Sequence, residues 1–225
     1  MPQLDTYLFD LDGTLLDSLE LILDSYRHTL MVHRGEAPAD EVWIAGIGTP
    51  LRTQLAPFVE NDEELERFVD TYREHNFAHH DAMMKAFPGI RDVVESIRSN
   101  GKRLGIVTSK ARKGTAKGLK IGGLEGLFQA IVAADDVERH KPDPTPVLKA
   151  LDLLNADAER TVFIGDSPHD MAAGRSAGVL TAAALWGPFD RDTLALFSPD
   201  YWLSEPSDVL SLDGRLSETK RLSKP

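Results

Sequence analysis

The chain has 225 residues, 42% of them hydrophobic and 27% charged, so it can form one large domain or two smaller ones around a real core. With 25 Lys and Arg against 36 Asp and Glu, its net charge of −11 disfavours nucleic-acid and membrane partners. It contains no cysteine, which excludes a disulfide framework and a thiolate zinc site, and neither a signal peptide nor a membrane-length apolar run is visible, so we expect a cytoplasmic protein.

The predicted elements begin with "TYLFDL" at residues 6–11, a short apolar segment typical of a buried strand. Similar strand segments follow at 103–109, 129–134, 161–166 and 179–185, and helical patterns lie between them at 89–100, 111–121, 144–154 and 168–177. This alternation predicts an α/β, Rossmann-like parallel sheet with helices on both faces. Each strand ends in polar residues, and ligands bind at the carboxyl ends of such strands.

About seventy residues after the first strand contain no clear strand, and a connection of that length should have structure of its own. Two segments within it show helical spacing of apolar residues: Leu19, Ile22, Leu23, Tyr26 and Leu30 in one, and Leu65, Phe68, Val69 and Tyr72 in the other. We therefore predict an inserted helical domain at residues 17–86 and a discontinuous core at 1–16 and 87–225. The polar tail "SETKRLSKP" is expected to fray.

The first strand ends in "DLDGT", where Asp10 and Asp12 point to the same side of the strand, roughly 6–7 Å apart. One carboxylate could attack a phosphorus atom while the other protonates the leaving oxygen. Gly13 would let the backbone approach a phosphate closely, and the amides around Gly13 and Thr14 could donate to its oxygens. An ordinary Asp-Gly turn is the alternative interpretation of this motif.

Three later motifs add to this chemistry. Asp166 and Asp170 in "GDSPHD" can face the same cleft, and together with Asp10 they form an oxygen cluster suited to Mg²⁺. Considered alone, they could be a helix cap and a solvated acid. Thr108 in "VTS" and Lys141 in "KPDP" could hold a phosphate. The alternative is that Thr108 is only a β-branched residue at the end of a strand and that Lys141 is a solvated loop lysine.

In this order, "DLDGT", "VTS", "KPDP" and "GDSPHD" resemble the four motifs of the haloacid dehalogenase superfamily of phosphohydrolases. The resemblance implies that Asp10 is the nucleophile that becomes an aspartyl phosphate, and that Asp12 is the general acid and then the base that activates water. It also implies that Thr108 and Lys141 hold and neutralise the phosphate.

The same resemblance implies an Mg²⁺ site formed by Asp10, the Asp12 carbonyl and Asp166, with Asp170 supporting it. The inserted domain resembles the helical cap of the first subclass of that superfamily, which closes over the substrate. The dehalogenases themselves lack the second aspartate, so Asp12 favours phosphate chemistry.

Three other classes compete with a phosphatase. A phosphoacceptor domain of the response-regulator type also uses clustered Asp, Thr and Lys residues, but it is shorter and its acceptor lies mid-chain. A catalytically silent binding module is disfavoured because every motif residue is present. A sugar phosphomutase would share the cap and the motifs, although Thr14 stands where mutases often carry valine.

The cap residues should decide which small phosphorylated substrate is bound. Arg52, in "GIGTPLR", lies in a stretch that resembles the substrate-facing loop of the cap, and Ser109 and Lys110 lie near the predicted mouth. In "YREHNFAHHD", helical spacing puts His79 on the apolar face and His80 on an adjoining polar stripe. All five side chains are candidates for substrate binding.

Two longer stretches, "GIVTSKARKGTAKGLK" and "DDVERHKPDP", resemble the bacterial inorganic pyrophosphatase branch of the superfamily. The phosphoglycolate phosphatases share most of these features. We therefore expect inorganic pyrophosphate as the substrate, with 2-phosphoglycolate as the alternative. The sequence leaves the oligomeric state open.

Overall fold

The structure, a computed structural model, describes residues 4–212, so the expectation for the tail at 217–225 lies outside the described residues. Within that part of the chain, none of the helices has the length and apolar character that crossing a bilayer requires.

A six-stranded, fully parallel sheet forms the core, with the order β5-β4-β1-β6-β7-β8. In chain order the strands of the described residues are β1 (Thr6–Phe9), β2 (Leu16–Asp17), β3 (Lys85–Ala86), β4 (Arg103–Val107), β5 (Ala130–Val132), β6 (Thr161–Gly165), β7 (Leu180–Ala184) and β8 (Tyr201–Leu203). The five strands predicted from the sequence are confirmed, whereas β2, β3 and β8 were not predicted.

The helices of the same residues are α1 (Leu19–Arg34), α2 (Asp40–Ile44), α3 (Leu51–Leu55), α4 (Asp62–Met83), α5 (Ile90–Ser99), α6 (Arg112–Ile121), α7 (Thr145–Leu154), α8 (Pro168–Ser176) and α9 (Arg191–Ala195). Short 3₁₀ turns lie at Ala56–Phe58, Ala134–Asp136, Ala158–Arg160 and Pro206–Ser211. All six predicted helical segments are confirmed, and the four that were predicted with bounds end within one residue of α5, α6, α7 and α8.

Both faces of the sheet are covered, which explains the continuous apolar strands. Tyr7 and Phe9 join a buried cluster with residues of α5 and α6, whereas Leu8 packs on the other face with residues of α7 and α8. Because side chains alternate along a strand, one strand supplies both clusters. This is the α/β architecture that the sequence predicted.

The helices α1–α4 form an inserted unit with a hydrophobic cluster of its own. Tyr26 of α1 stacks on Trp43 of α2 with ring centroids 4.4 Å apart. Asn61 is the N-cap of α4, and its side chain accepts a hydrogen bond from the Glu64 amide at 3.0 Å. The chain enters and leaves this unit through the antiparallel pair of β2 and β3. The unit is therefore attached to the sheet by two adjacent chain crossings.

Candidate active site

The sheet order brings the predicted motifs to one edge. Strand β1 lies between β4 and β6, so Asp10, Thr108 and Asp166, which directly follow or nearly follow these strands, become neighbours. The Asp10 amide donates to the Ile164 carbonyl at 2.9 Å and the Thr108 amide donates to the Val132 carbonyl at 2.9 Å. These backbone bonds fix the positions of the first residues beyond the strands.

Three buried carboxylates meet at this edge around one lysine. Oxygen atoms of Asp10, Asp166 and Asp170 lie within 4.8 Å of one another, in a geometry that could hold a metal ion. Lys141 is buried with them, and its Nζ lies 3.0 Å from Asp10 Oδ1 and 2.6 Å from Asp170 Oδ1. Lys141 therefore pairs with both Asp10 and Asp170.

The electrostatics of this cluster show a shortage of positive charge. Burial, followed by the charge of Asp170, raises the pKa of Asp10 to about 7 although Lys141 opposes the shift, and the same two causes raise the pKa of Asp166. Burial lowers the pKa of Lys141, but the charges of Asp10 and Asp170 prevail and leave it raised. One ammonium cannot balance three carboxylates, so a divalent cation fits this donor set.

Asp166 has the space and the free oxygen that a metal ligand needs. Its Oδ1 accepts a hydrogen bond from the Thr14 hydroxyl at 2.7 Å, whereas its buried Oδ2 has no hydrogen-bond partner in the part of the chain that the structure describes. A side chain at Gly13 or Gly187 would place Cβ only 2.3 Å from Asp166 atoms. The Trp186 indole donates to the Thr14 carbonyl at 3.0 Å and thereby holds this loop.

Asp170 has less freedom, because both of its oxygens are already bonded. Oδ1 accepts from Lys141, and Oδ2 accepts from the Ser167 amide at 3.0 Å and from the Ser167 hydroxyl at 2.6 Å. Ser167 is the N-cap of α8 and forms a capping box with Asp170. The helix-cap alternative for Asp166 is therefore wrong, and Asp170 is placed to orient Lys141.

Asp12 lies at the cavity and is paired with Lys110. The Lys110 ammonium is 3.0 and 3.1 Å from the two carboxylate oxygens of Asp12, and the Ser18 hydroxyl donates to Asp12 Oδ1 at 2.7 Å. Lys110 follows Thr108 and Ser109, so the same loop supplies the phosphate-binding candidate and the partner of the candidate acid. A leaving group protonated by Asp12 would also meet Lys110.

The amides of Gly13 and Thr14 donate hydrogen bonds within their own loop. The Gly13 amide donates to the Leu16 carbonyl at 2.8 Å, and the Thr14 amide donates to the Leu11 carbonyl at 3.4 Å. The tight loop therefore uses both amides itself, and the binding of phosphate oxygens by amides around Gly13 and Thr14 stays a prediction. Gly13 instead adopts a positive φ of 83° that leaves room for Asp166, and Thr14 positions Asp166.

Ser109 joins the sheet edge to the inserted helices. Its hydroxyl donates to the Gly48 carbonyl at 2.6 Å, in the loop between α2 and α3. Gly48 has a φ of 98°, and a Cβ there would lie 2.7 Å from Ser167 Oγ and 3.1 Å from a ring carbon of His169. The loop that contains Gly48 therefore contacts two loops at the carboxyl edge of the sheet, the one with Ser109 and the one with Ser167 and His169.

A cavity of about 750 Å³ lies between this edge and the helices α1–α4. The sheet side contributes Asp10, Asp12, Thr108 and Lys110. The helical side contributes mostly apolar or aromatic side chains with several cations, among them Ile22, Tyr26, Ile47, Leu51, Arg52, Tyr72, Arg73 and Phe77. Its position over Asp10 makes it the candidate substrate site.

The remaining candidates of the inserted unit are placed differently from expectation. Arg52 lines the cavity but pairs with Glu66 at 2.5 Å. His79 is exposed and bonds the His75 carbonyl at 2.9 Å, whereas His80 is fully buried and its ring nitrogens have no hydrogen-bond partner among residues 4–212. Neither His79 nor His80 lines the cavity.

The prediction of an apolar face at His79 and a polar stripe at His80 is thus wrong. The C-terminal part of α4 contacts α6, where the Lys117 ammonium donates to the Phe77 carbonyl at 2.9 Å and pairs with Asp81 at 3.0 Å. In this part of α4, His80 is buried and His79 is exposed.

Sequence reasoning missed several residues that shape the site. Tyr26 and Tyr72 read only as packing positions, yet both line the cavity. Gly48 and Gly187 carry no local signal, because their importance is the close approach of a loop distant in sequence. Ser167 could have been found from the capping-box spacing Ser-x-x-Asp.

Comparison with known proteins gives a consistent result. Residues 7–184 match the family described as haloacid dehalogenase-like hydrolase. Pyrophosphatase PpaX from Anoxybacillus flavithermus is 40% identical over 211 residues, which are 94% of this chain and 97% of that protein.

Solved structures agree with this match. A hydrolase from Pseudomonas syringae superposes with a TM-score of 0.85 at 25% identity over 95% of this chain and 98% of that one. A protein assigned as a phosphoglycolate phosphatase from Lactobacillus plantarum superposes with a TM-score of 0.83 at 27% identity over 93% and 99% of the two chains.

Proposed function

This chain belongs to the haloacid dehalogenase-like hydrolases and is a phosphatase among them, and on that premise we propose that it is Mg²⁺-dependent and acts through an aspartyl phosphate on Asp10. The observation that carries the proposal is the buried cluster of Asp10, Asp166 and Asp170 around Lys141 beneath a large cavity. Asp10, the Asp12 carbonyl and Asp166 would hold the cation, which offsets carboxylate and phosphate charge when bound.

In the first half of the reaction, a carboxylate oxygen of Asp10 attacks the phosphorus atom, and the bond from phosphorus to the leaving oxygen breaks. Asp12 gives a proton to that oxygen. Thr108 and Lys141 hold the phosphoryl oxygens, and Lys141 is kept in place by its 2.6 Å contact with Asp170. In the second half, Asp12 takes a proton from water, the water oxygen attacks the phosphorus, and the bond to Asp10 breaks to release phosphate.

We propose inorganic pyrophosphate as the substrate, with 2-phosphoglycolate as the second candidate. Pyrophosphate is supported by the 40% identity to proteins named as pyrophosphatases and by the cations Lys110, Arg52, Arg73 and Lys113 in the cavity wall. The second candidate is supported by the structural neighbour assigned to that activity. In either case residues 17–86 serve as the cap that covers the substrate during the reaction.

One experiment tests the function and ranks the substrates. The kcat/KM of the purified protein is measured for pyrophosphate, 2-phosphoglycolate and a set of sugar phosphates at equal Mg²⁺, with Asp10→Asn as the control. Pyrophosphate should lead the panel, and Asp10→Asn should lose several orders of magnitude in turnover because it removes the attacking charge. A more than tenfold preference for 2-phosphoglycolate would select the second candidate, and a leading sugar phosphate would contradict both.

A further inference from the structure

Two tyrosines from different helices of the inserted unit meet at the wall of the catalytic cavity. Tyr26 of α1 is 1% exposed, and its ring is fixed by the parallel stack on Trp43 at 4.4 Å. Tyr72 of α4 packs against Tyr26 with ring centroids 4.8 Å apart at 50°. The rings are part of the cap core, so their positions are determined by packing rather than by a ligand.

Both side chains line the cavity. Neither phenol oxygen bonds another of the residues 4–212, and neither is among the fully enclosed unpartnered atoms, so both hydroxyls open to the cavity. Asp12 lines the same cavity as the two tyrosines. Burial raises the pKa of both phenols, and the charge of Asp12 raises it further, so both hydroxyls carry their protons. A hydroxyl that packing holds at a cavity wall, with no bond to another residue, is free to donate to whatever the cavity holds. Two such hydroxyls in the cavity that also contains the proposed acid therefore point to a ligand that accepts their hydrogen bonds.

We infer that the hydroxyl groups of Tyr26 and Tyr72 bind the leaving phosphate of pyrophosphate, an inference that rests on the proposed function. The position fits because the leaving oxygen must lie beside Asp12, whose carboxylate is 3.0 Å from the Lys110 ammonium. A leaving phosphate has no carbon skeleton, so its oxygens must be satisfied by hydrogen-bond donors and charge alone. The tyrosines supply neutral donors from the cap, and Lys110 supplies the cation from the core.

This assignment also explains an otherwise unfavourable cavity wall. A small, highly charged anion would contact Ile22, Leu51 and Phe77 on the same side, and these side chains provide neither a hydrogen-bond donor nor a positive charge. Hydroxyls placed among apolar side chains give strong, oriented bonds, because water competes little there. The apolar surroundings thus increase the value of each phenol bond to the leaving group.

Phenylalanine substitutions test the inference because they remove only the oxygen atoms. Tyr26→Phe keeps the ring stack with Trp43, and Tyr72→Phe keeps the ring contact with Tyr26. Tyr201→Phe, at a buried tyrosine of β8, is the matched control. Each cavity variant should lower kcat/KM for pyrophosphate by about ten- to a hundredfold, the loss expected for one hydrogen bond to a charged group. An aryl phosphate, whose leaving group needs no donor, should change by less than about threefold.

A binding measurement removes the dependence on turnover. The inhibition constant of imidodiphosphate, a non-hydrolysable analogue, should rise about tenfold or more in both cavity variants and stay unchanged in Tyr201→Phe. Equal losses on pyrophosphate and the aryl phosphate, or an unchanged inhibition constant, would overturn the inference. If the wild type does not hydrolyse pyrophosphate, the proposed substrate is wrong. If the wild type hydrolyses it and both tyrosine variants keep the same kcat/KM, only this inference is wrong.

Discussion

Replacing Lys110 with methionine tests how the core side of the site holds the leaving phosphate. The Lys110 side chain is 13% exposed, and its ammonium contacts both carboxylate oxygens of Asp12 at 3.0 and 3.1 Å. Methionine keeps most of the stem and removes the charge. Because the partner of Lys110 is the proposed acid, the lysine lies beside the oxygen that leaves.

The structure ranks Lys110 above Arg52, the cation that the sequence placed in the substrate-facing loop. A hydrogen bond to a charged group contributes about 1.5–3 kcal/mol, so Lys110→Met should lower kcat/KM for pyrophosphate by about ten- to 150-fold. Arg52 is 48% exposed and pairs with Glu66, which is 52% exposed. Exposed pairs contribute about 0–1 kcal/mol, so Arg52→Met should cost no more than about fivefold.

The assay compares pyrophosphate with an aryl phosphate in each variant. Because kcat/KM covers the steps up to departure of the leaving group, later hydrolysis of the aspartyl phosphate does not enter the comparison. Lys120→Met is the control, since Lys120 is an exposed lysine of α6 that does not line the cavity. Equal losses on both substrates, or a larger loss in Arg52→Met than in Lys110→Met, would refute the reasoning.

Three further predictions follow from the geometry. Gly48→Ala should lower kcat/KM for every substrate and speed amide exchange at 46–50, because its φ of 98° and the 2.7 Å approach to Ser167 exclude a Cβ; unchanged kinetics would contradict the contact. Burial, followed by the charges of Lys110 and Lys117, lowers the pKa of His80 to about 4. Because this residue takes up a proton near pH 6.5 in the unfolded chain but not in the folded one, its contribution should lower the unfolding free energy, measured in urea, by up to about 2 kcal/mol from pH 7 to pH 5. The His80→Leu variant should lack this contribution. Chelation should abolish turnover of the wild type. Mg²⁺ should raise the melting temperature of the wild type but not of Asp166→Asn, and an equal rise in that variant would exclude Asp166 as a ligand.

The elements of the fold could be predicted from the sequence where the pattern was long and local. Strands β1, β4, β5, β6 and β7 are apolar runs bounded by polar residues, and that pattern is enough to identify a strand buried on both faces. The pair β2–β3 has two residues in each strand, and β8 has three, so neither gives a periodic signal. They form because distant segments meet, which no short window of sequence contains.

The site was predictable in its position and less so in its contacts. Strand-end placement alone brings Asp10, Thr108 and Asp166 together, because adjacent parallel strands share an edge. The hydrogen-bond partner of Ser109 and the burial of His80 depend on the position of the inserted helices. The spacing of apolar residues in α4 could not show that the helix also packs on α6. Side chains whose role lies between two units therefore escape prediction from local periodicity.

The two missed tyrosines show why this happened. In α1 and α4, Tyr26 and Tyr72 satisfy the apolar periodicity as well as leucine would, so the pattern explains their rings and says nothing about their oxygens. A core position needs only the ring, and a leucine or phenylalanine would pack without an unpartnered hydroxyl. The choice of tyrosine at two adjoining positions beside Asp12 therefore has its physical reason in the cavity, where a phosphate anion can accept the two hydrogen bonds that the cap core leaves unmade.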